Sequence, residues 1–279
     1  MNKVFIVPNP TKDTGLSVTL KLIDKLSSLG MTVYMDARYK NIHSDVISCE
    51  KFPHDAELLM VVGGDGSVID ASRIAVDNGI PLLGVNLGRV GYLSEVDPNG
   101  LDILDNLKKG RFSIKEKMLL SIFDDTEADC VYAVNDITVS RGGYFGIAEF
   151  NLSDSCGNSL DYRADGIVFA TPQGSTAYSF SSGGPVVAHD VEGILVTPVC
   201  PHSFFNRSVI FNSSETLSVA NRGAYPMNIA VDGRKLRELM PGGICRIRCA
   251  DKKIKMLTFS ENSMFTELFK KMNITEGLK

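Results

Sequence analysis

The sequence predicts an α/β N-terminal domain with a parallel sheet, then a β-rich, sandwich-like C-terminal domain, with a C-terminal helix returning to the first domain. Three observations carry this. Up to about residue 110, apolar runs alternate with helix-compatible stretches, the texture of β-α-β units. From Arg111 the runs become short and alternating, with Gly, Asn, Asp and Ser between them about every ten residues, the rhythm of antiparallel strands. Near the end, Phe265, Leu268, Phe269 and Met272 return at i, i+3, i+4 and i+7, the stripe of a packed helix. The expected domains are 1–112 and 113–258, with segment 259–279 packing back on the first.

In chain order, Val4-Phe5-Ile6-Val7 reads as a buried strand ended by Pro8-Asn9-Pro10. Thr14 to Leu29 reads as a helix with Leu16, Leu20 and Ile23 on one face and Leu22, Leu26 and Leu29 beside it; Gly30 stops it. Thr32 to Met35 is the next strand, and 36–55, polar and irregular, is expected as a connection. Leu58 to Val62 then leads into Gly63-Gly64-Asp65-Gly66-Ser67, and Val68 to Val76 continues as a helix closed by Asn78-Gly79. Pro81 to Asn86 gives one more strand. Ligands in such sheets sit at the C-terminal strand ends, so Asn9, Gly63 to Ser67 and Asn86 to Gly91 should share one rim. A short helix over Gly100 to Lys109 completes the domain. In the second domain, Met118 to Phe123, Asp129 to Val139, Thr216 to Ala220 and Cys245 to Cys249 read as strands.

Composition narrows the function classes. Of 279 residues, 44% are hydrophobic and 22% charged, ordinary for a globular chain. The net charge of −4 and the lack of any long basic run argue against a nucleic-acid surface. No apolar run approaches the ~20 residues of a membrane span, and Met1-Asn2-Lys3-Val4 starts directly on a strand with no signal-peptide pattern. The six cysteines form no CxxC pair and no zinc-like spacing; Cys245 and Cys249 alternate with Arg246 and Arg248, which puts both thiols on the inner face of one strand. Free cysteines without a secretion signal point to the cytoplasm.

The chemistry gathers at two glycine-rich stretches. In Gly63 to Ser67 the glycines allow close approach of a ligand, and N–H groups at a helix start suit phosphate. No Lys-Ser/Thr pair closes the loop, so it is not a Walker A loop; it offers an acid where that motif offers a base. A carboxylate beside phosphates needs a bridging cation or a proton to accept. That is what a kinase acting on a hydroxyl requires, with Asp65 as general base or metal partner; alternatively Asp65 shapes the turn and Ser67 caps the helix. The second stretch is Asp161 to Gly166, the apolar run Ile167 to Ala170, then Thr171 to Pro185. Its hydroxyls and glycines suit a phosphorylated or hydroxyl-rich ligand, with Asp165 accepting hydrogen bonds and Arg163 facing phosphate, or they serve a turn system. Asn135-Asp136, after a strand over Val131 to Val134, is read as a pair able to grip ribose hydroxyls or as an Asx turn. Tyr92 and Tyr178 either stack on a base or pack, and His202 and His189 read as structural.

Taken in order, Gly63 to Ser67, Gly84 to Leu93, Asn135-Asp136, Arg163 to Gly166, Thr171 to Pro185, Pro201-His202 and Asp232-Gly233 resemble the NAD kinase family, which makes NADP with ATP or polyphosphate. The resemblance covers most of the chain. It implies that Asp65 accepts the proton of the 2′-hydroxyl of the adenosine ribose. Gly63, Gly64, Gly66 and Ser67 would form the phosphate loop. Asn135 and Asp136 would contact ribose and adenine-side groups, and Arg163, Asp165, Thr176, Ala177, Tyr178, Ser179 and Ser181 the rest of the dinucleotide. Tyr92, Gly146, Asp232 and Arg234 are further candidates. The resemblance also implies a divalent metal, usually magnesium, carried with the nucleotide and with no protein ligands assigned, and a homodimer or homotetramer. Neither nucleic acid nor membrane is expected as a partner.

Several positions depart from the family pattern. Ser67 stands where Thr is commoner, Asp136 where Glu is, Gln173 where Thr or Ser is, Ser208 where Pro is, and Arg234 where Gln is. The last three bear on donor and substrate preference. Two other functions remain open on the sequence: a lipid or sphingoid kinase, for which Thr171 to Pro185 is too polar, and a non-enzymatic dinucleotide sensor, against which Asp65 argues.

Overall fold

The computed structural model describes residues 1–87, 93–124, 131–144 and 146–259. The chain divides into two compact units, Met1–Glu116 with Ile254–Lys279, and Lys117–Lys253. The C-terminal helix expected over 261–272 lies outside the described residues, as do 88–92.

The first unit runs β1 (Lys3–Pro8), α1 (Ser17–Ser28), β2 (Thr32–Asp36), β3 (Val46–Cys49), β4 (Leu58–Gly63), α2 (Asp65–Asn78), β5 (Leu82–Asn86), β6 (Ser94–Val96) and α3 (Asp105–Lys108). Its sheet has the order β3-β2-β1-β4-β5 with every neighbour parallel, and β6 joins β5 in parallel. All six residues of β4 are buried, which accounts for its unbroken apolar run. The core packs Val4 and Ile6 of β1 and Met60 and Val62 of β4 with Leu22, Ile23 and Leu26 of α1. The chain leaves β1 toward β2 on one side and β4 toward β5 on the other. Strand order therefore reverses between β1 and β4, where sheets of this class hold their ligands.

Two local expectations need correction. Residues 36–55 are not merely a connection: they contain a 3-10 turn at Ala37–Tyr39 and β3, which pairs with β2 from Val33↔Val46 to Asp36↔Cys49. β3 lies at the end of the sheet with no fully buried residue, so it carries little apolar signal. The first helix starts at Ser17, after a 3-10 turn at Thr14–Leu16. The buried Asp13 carboxylate accepts hydrogen bonds from Val18 N (3.0 Å), Thr19 N (2.8 Å) and Thr19 Oγ1 (2.6 Å), satisfying donors that the helix start leaves unpaired.

β7 (Ser113–Phe123) leads into the second unit, followed by β8 (Val131–Ala133), β9 (Asp136–Arg141), β10 (Ala148–Ser153), β11 (Ser159–Ala164), β12 (Gly166–Ala170), α4 (Tyr178–Ser181), β13 (Gly193–Val199), β14 (Val209–Asn212), β15 (Thr216–Asn221), β16 (Met227–Val231), β17 (Arg234–Leu239) and β18 (Ile244–Thr258). One antiparallel series runs β11-β10-β15-β18, with β7 pairing β18 and β8; a separate antiparallel sheet runs β14-β13-β12-β9-β16-β17. One core takes Phe150, Tyr162 and Ile247 from the first series and Ile137, Phe169 and Ile229 from the second sheet, which makes the unit a sandwich. Cys245 lies in that core with Cys249 packed against it, as the alternation predicts; burial pushes the Cys245 thiol up to about 12, so it stays protonated. The units divide at 116/117 and 253/254 rather than at 112/113 and 258/259, because β7 and β18 run unbroken through the divisions. No helix among the described residues is long and apolar enough to cross a membrane.

Candidate active site

The described predicted residues fall on both units, and on the second they lie at separate places. Asn135 and Asp136 stand with the turn after Ala170 at one end of β9 and β12, Asp165 stands at the other end of β12 beside Gly166 and Ser140, and Arg163 lies on β11 of the other sheet. On the first unit, β4 ends at Gly63, Gly64 is extended, and Asp65 opens α2. The turn is fixed from both neighbouring strand ends. Asn9, just past β1, donates its N–H to Val62 O (2.8 Å) and its Nδ2 to Ser67 Oγ (2.7 Å); Leu87, just past β5, donates its N–H to Gly63 O (2.9 Å). Asn9, Gly63, Ser67 and Asn86 thus meet at one rim, while 88–91 lie outside the described residues. A Cβ on Gly63 would stand 2.5 Å from the Cβ of Ser67, so the close return of the helix onto the strand end requires glycine there. Half-buried Asp65 accepts from Leu93 N (3.2 Å), which orients its carboxylate. In the first turn of α2 that charge also meets the positive end of the helix dipole. Gly66 is exposed in the same turn, where N–H groups lack helical acceptors.

Lys12, which carries no sequence signal as a site residue, stands beside the turn. Its Nζ lies 2.7 Å from the place where a Cβ on Gly64 would stand, and it makes no ion pair with a described residue. The cation that the glycine loop lacks in its own sequence comes from the β1–α1 connection. No local motif could reveal this, because it depends on the turn at Asn9: Lys12 N donates to Asn9 O at 3.1 Å.

On the second unit, Asn135 and Asp136 follow a strand, β8, as expected, and Asp136 already opens the next, β9. Three of their neighbourhood's backbone N–H groups converge on Asp232, which sits in the left-handed region (φ 47°). Its Oδ2 accepts from Val134 N (2.9 Å), and its Oδ1 from Asn135 N (2.7 Å) and Asp136 N (3.1 Å). From the other side Thr171 N donates to Asn135 O (2.9 Å), and Thr171 Oγ1 donates to Val134 O (2.7 Å) while accepting from Gly174 N (2.9 Å). A Cβ on Gly174 would collide with the Asn135 carbonyl, so Gly174 packs directly against that backbone.

Asp136 is buried, with Tyr178 N and Thr138 facing its carboxylate. Burial, then the nearby Asp232 charge, raise its carboxyl from 3.8 to about 6. The Thr176 to Ser181 stretch forms a 3-10 turn followed by α4. Tyr178 and Ser181 are exposed there, and Ala177 N donates to Gly174 O (2.9 Å). Thr176 Oγ1 is turned back to Gln173 O (3.3 Å). Ser179 is buried instead: its hydroxyl shares a hydrogen bond with Thr197 (2.8 Å), which shares another with Ser208 (3.0 Å). Ser179 therefore serves the packing of the turn, and Ser208 extends the same hydroxyl chain. Gln173 is buried and accepts from Lys117.

Arg163 and Asp165 are already paired, Arg163 with Glu149 and Asp165 with Arg141, each at 3.2 Å. Such partly exposed pairs are worth about 0–1 kcal/mol, so a ligand phosphate or hydroxyl can exchange into them. Arg234 is exposed at the start of β17. Gly146 lies against Tyr144, which stacks on Tyr225 (4.6 Å between centroids). Tyr92 is outside the described residues. No cluster of three or more His, Cys, Asp or Glu among the described residues has the geometry to hold a metal ion.

Residues 4–111 match the ATP-NAD kinase N-terminal domain and residues 134–259 the ATP-NAD kinase C-terminal domain. The chain belongs to the ATP-NAD kinase family. Membership makes it a phosphotransferase. Relatives described as NAD kinase include one from Natranaerobius thermophilus, 32% identical over 98% of each chain, and one from Caldanaerobacter subterraneus subsp. tengcongensis, 35% identical over 78% of this chain and 79% of its own. The fold is shared with yeast NADH kinase complexed with NADH (TM-score 0.83, 22% identity, 100% of this chain and 89% of the other). It is also shared with an Archaeoglobus fulgidus NAD kinase in complex with ATP (TM-score 0.74, 22% identity, 97% and 98%).

Proposed function

We propose that the chain phosphorylates NAD to NADP with ATP, and that Asp65 draws off the 2′-hydroxyl proton of the adenosine ribose as the phosphoryl group arrives. The observation that carries this is the placement of Asp65: a carboxylate on the phosphate-type turn, at the reversal of strand order, in a chain matched to the family across both units. The N–H groups of the first turn of α2 and the Lys12 ammonium attract the donor phosphates. Residues of both units enter the reading. Asn135 and Asp136 take ribose and adenine-side groups, and Tyr178, Ser181, Asp165 and Arg163 the remainder of the dinucleotide. Positioning and charge neutralisation supply most of the rate, since phosphoryl transfer asks little covalent work of the protein.

A divalent cation, magnesium by preference, belongs to this reading. One half-buried carboxylate beside the turn suits an ion that arrives with the nucleotide and keeps its phosphate and water ligands. When bound, it neutralises the charge of the transferring phosphoryl group. Asp65, Asn9 and Ser67 are the polar side chains at the turn that would face it. Polyphosphate as an alternative donor, a homodimer or homotetramer, and a cytoplasmic location complete the proposal.

The test is NADP formation from NAD, ATP and magnesium by wild type and Asp65→Asn, repeated with polyphosphate. The variant should lose on the order of 10²–10⁴ in turnover while still binding NAD. Near-normal turnover would remove Asp65 from its role. Wild type that binds NAD but turns over neither donor would make the chain a dinucleotide sensor.

A further inference from the structure

The strongest unassigned feature is the enclosure of the Asn135–Asp136 backbone. Asp232 accepts the N–H groups of Val134, Asn135 and Asp136, while its own N–H donates to Asp136 O at 2.9 Å. Thr171 takes up the Val134 and Asn135 carbonyls on the other side, and Gly174 closes against Asn135. Every backbone polar group of Asn135 is thereby used within the protein. Its side chain differs: the carboxamide is half-buried and hydrogen-bonds to no described residue, although it offers two donors and an acceptor. The segment spends its backbone on rigidity and leaves one polar head available.

We propose that Asp232 is a positioning residue for dinucleotide binding, holding the Asn135–Asp136 backbone so that the Asn135 carboxamide meets the ligand already oriented. This rests on the function proposed above. Asp232 does not touch the ligand; it acts through Asn135 and Asp136. Pre-orientation of this kind lowers the ordering cost of binding, so its loss appears as weaker NAD binding. Donor binding depends on the separate turn at Gly63 to Ser67.

The same contact has an electrostatic consequence. The groups facing the Asp136 carboxylate are Thr138 on its own strand, Tyr178 N from α4 and the Asp232 carboxylate from the β16–β17 turn. The last is the only charge among them, and it opposes ionisation of Asp136. Neutralising Asp232 therefore moves the Asp136 transition to lower pH.

The experiment measures KM for NAD, KM for ATP and kcat against pH for wild type, Asp232→Asn and Asp232→Gly. Asn and Gly both tolerate the left-handed backbone at this position, so both variants keep the turn. In Asp232→Asn the carboxamide can keep two of the three N–H groups as partners, but its NH₂ turns a donor toward the third. KM for NAD should rise on the order of 10-fold, and further in Asp232→Gly, with KM for ATP unchanged. In both variants the acid-side midpoint of NAD affinity should fall. An unchanged KM for NAD would overturn the proposal. So would equal losses for NAD and ATP with an unmoved midpoint, which mark a merely structural residue. Wild type that binds no NAD would instead overturn the proposed function itself, an outcome visible before any variant is made.

Discussion

Asp136 gives the most quantitative handle on the second unit. Its carboxyl is raised from 3.8 to about 6 by burial and by the Asp232 charge, against the usual direction for a paired carboxylate. A folded-state pKa above the unfolded value means that folding is favoured while the group is protonated. That contribution is intact below 3.8 and is lost as pH rises through about 6. At about 1.4 kcal/mol per unit, the full loss is about 3 kcal/mol, of which about 2 kcal/mol falls between about pH 4.5 and about pH 7.5. Asp136→Asn keeps the shape of the side chain but carries no charge to desolvate. Denaturant unfolding of both proteins across this range should show the variant gaining about 2 kcal/mol on wild type as pH rises. The same variant should bind NAD less tightly, so stability and affinity move in opposite directions. A stability difference that stays constant with pH would refute the argument, because it would mean that the buried carboxylate carries no ionisation penalty in the folded protein.

Two further expectations follow from the glycine turn. Gly63→Ala should destabilise by about 1–3 kcal/mol, because the new methyl overlaps the Ser67 side chain at the close return of α2. Gly64→Ala should cost less than half as much, since its methyl meets only the flexible end of Lys12; equal losses in thermal unfolding would contradict the packing assigned to Gly63. Lys12→Ala should raise KM for ATP on the order of 10-fold and leave NAD affinity unchanged. An effect on NAD instead of ATP in steady-state assays would detach Lys12 from the donor phosphates.

The elements that the sequence shows best are those whose signal is local. β4 is buried along its length and feeds a glycine turn, so its residues declare both strand and turn. Cys245 and Ile247 alternate with arginines and lie in the sandwich core. β3 fails the same test because it pairs on one side and buries no residue fully, leaving too little pattern to separate a strand from a connection. The start of β9 at Asp136 is hidden for a related reason: the break between β8 and β9 is only Val134-Asn135, and the bonds that define it come from Asp232 and Thr171.

The same contrast separates recognising a site from understanding how it is held. Asp65 is legible because its acid stands inside the glycine loop itself. Asp232-Gly233 reads as a turn, and its left-handed backbone fits that reading. What the turn is for depends on partners in the break between β8 and β9, nearly one hundred residues earlier and beyond any periodicity. Lys12 shows the same logic on the first unit. A Walker-type loop places its cation within the motif, where sequence can find it; here the turn at Asn9 carries the cation to Gly64 through space. In the proposed reading, an acid can then occupy the loop position next to the donor phosphates, with the balancing charge supplied from outside it. The chemistry of a hydroxyl acceptor calls for that division, because the group that removes a proton and the group that holds phosphate need opposite charges at nearly the same place.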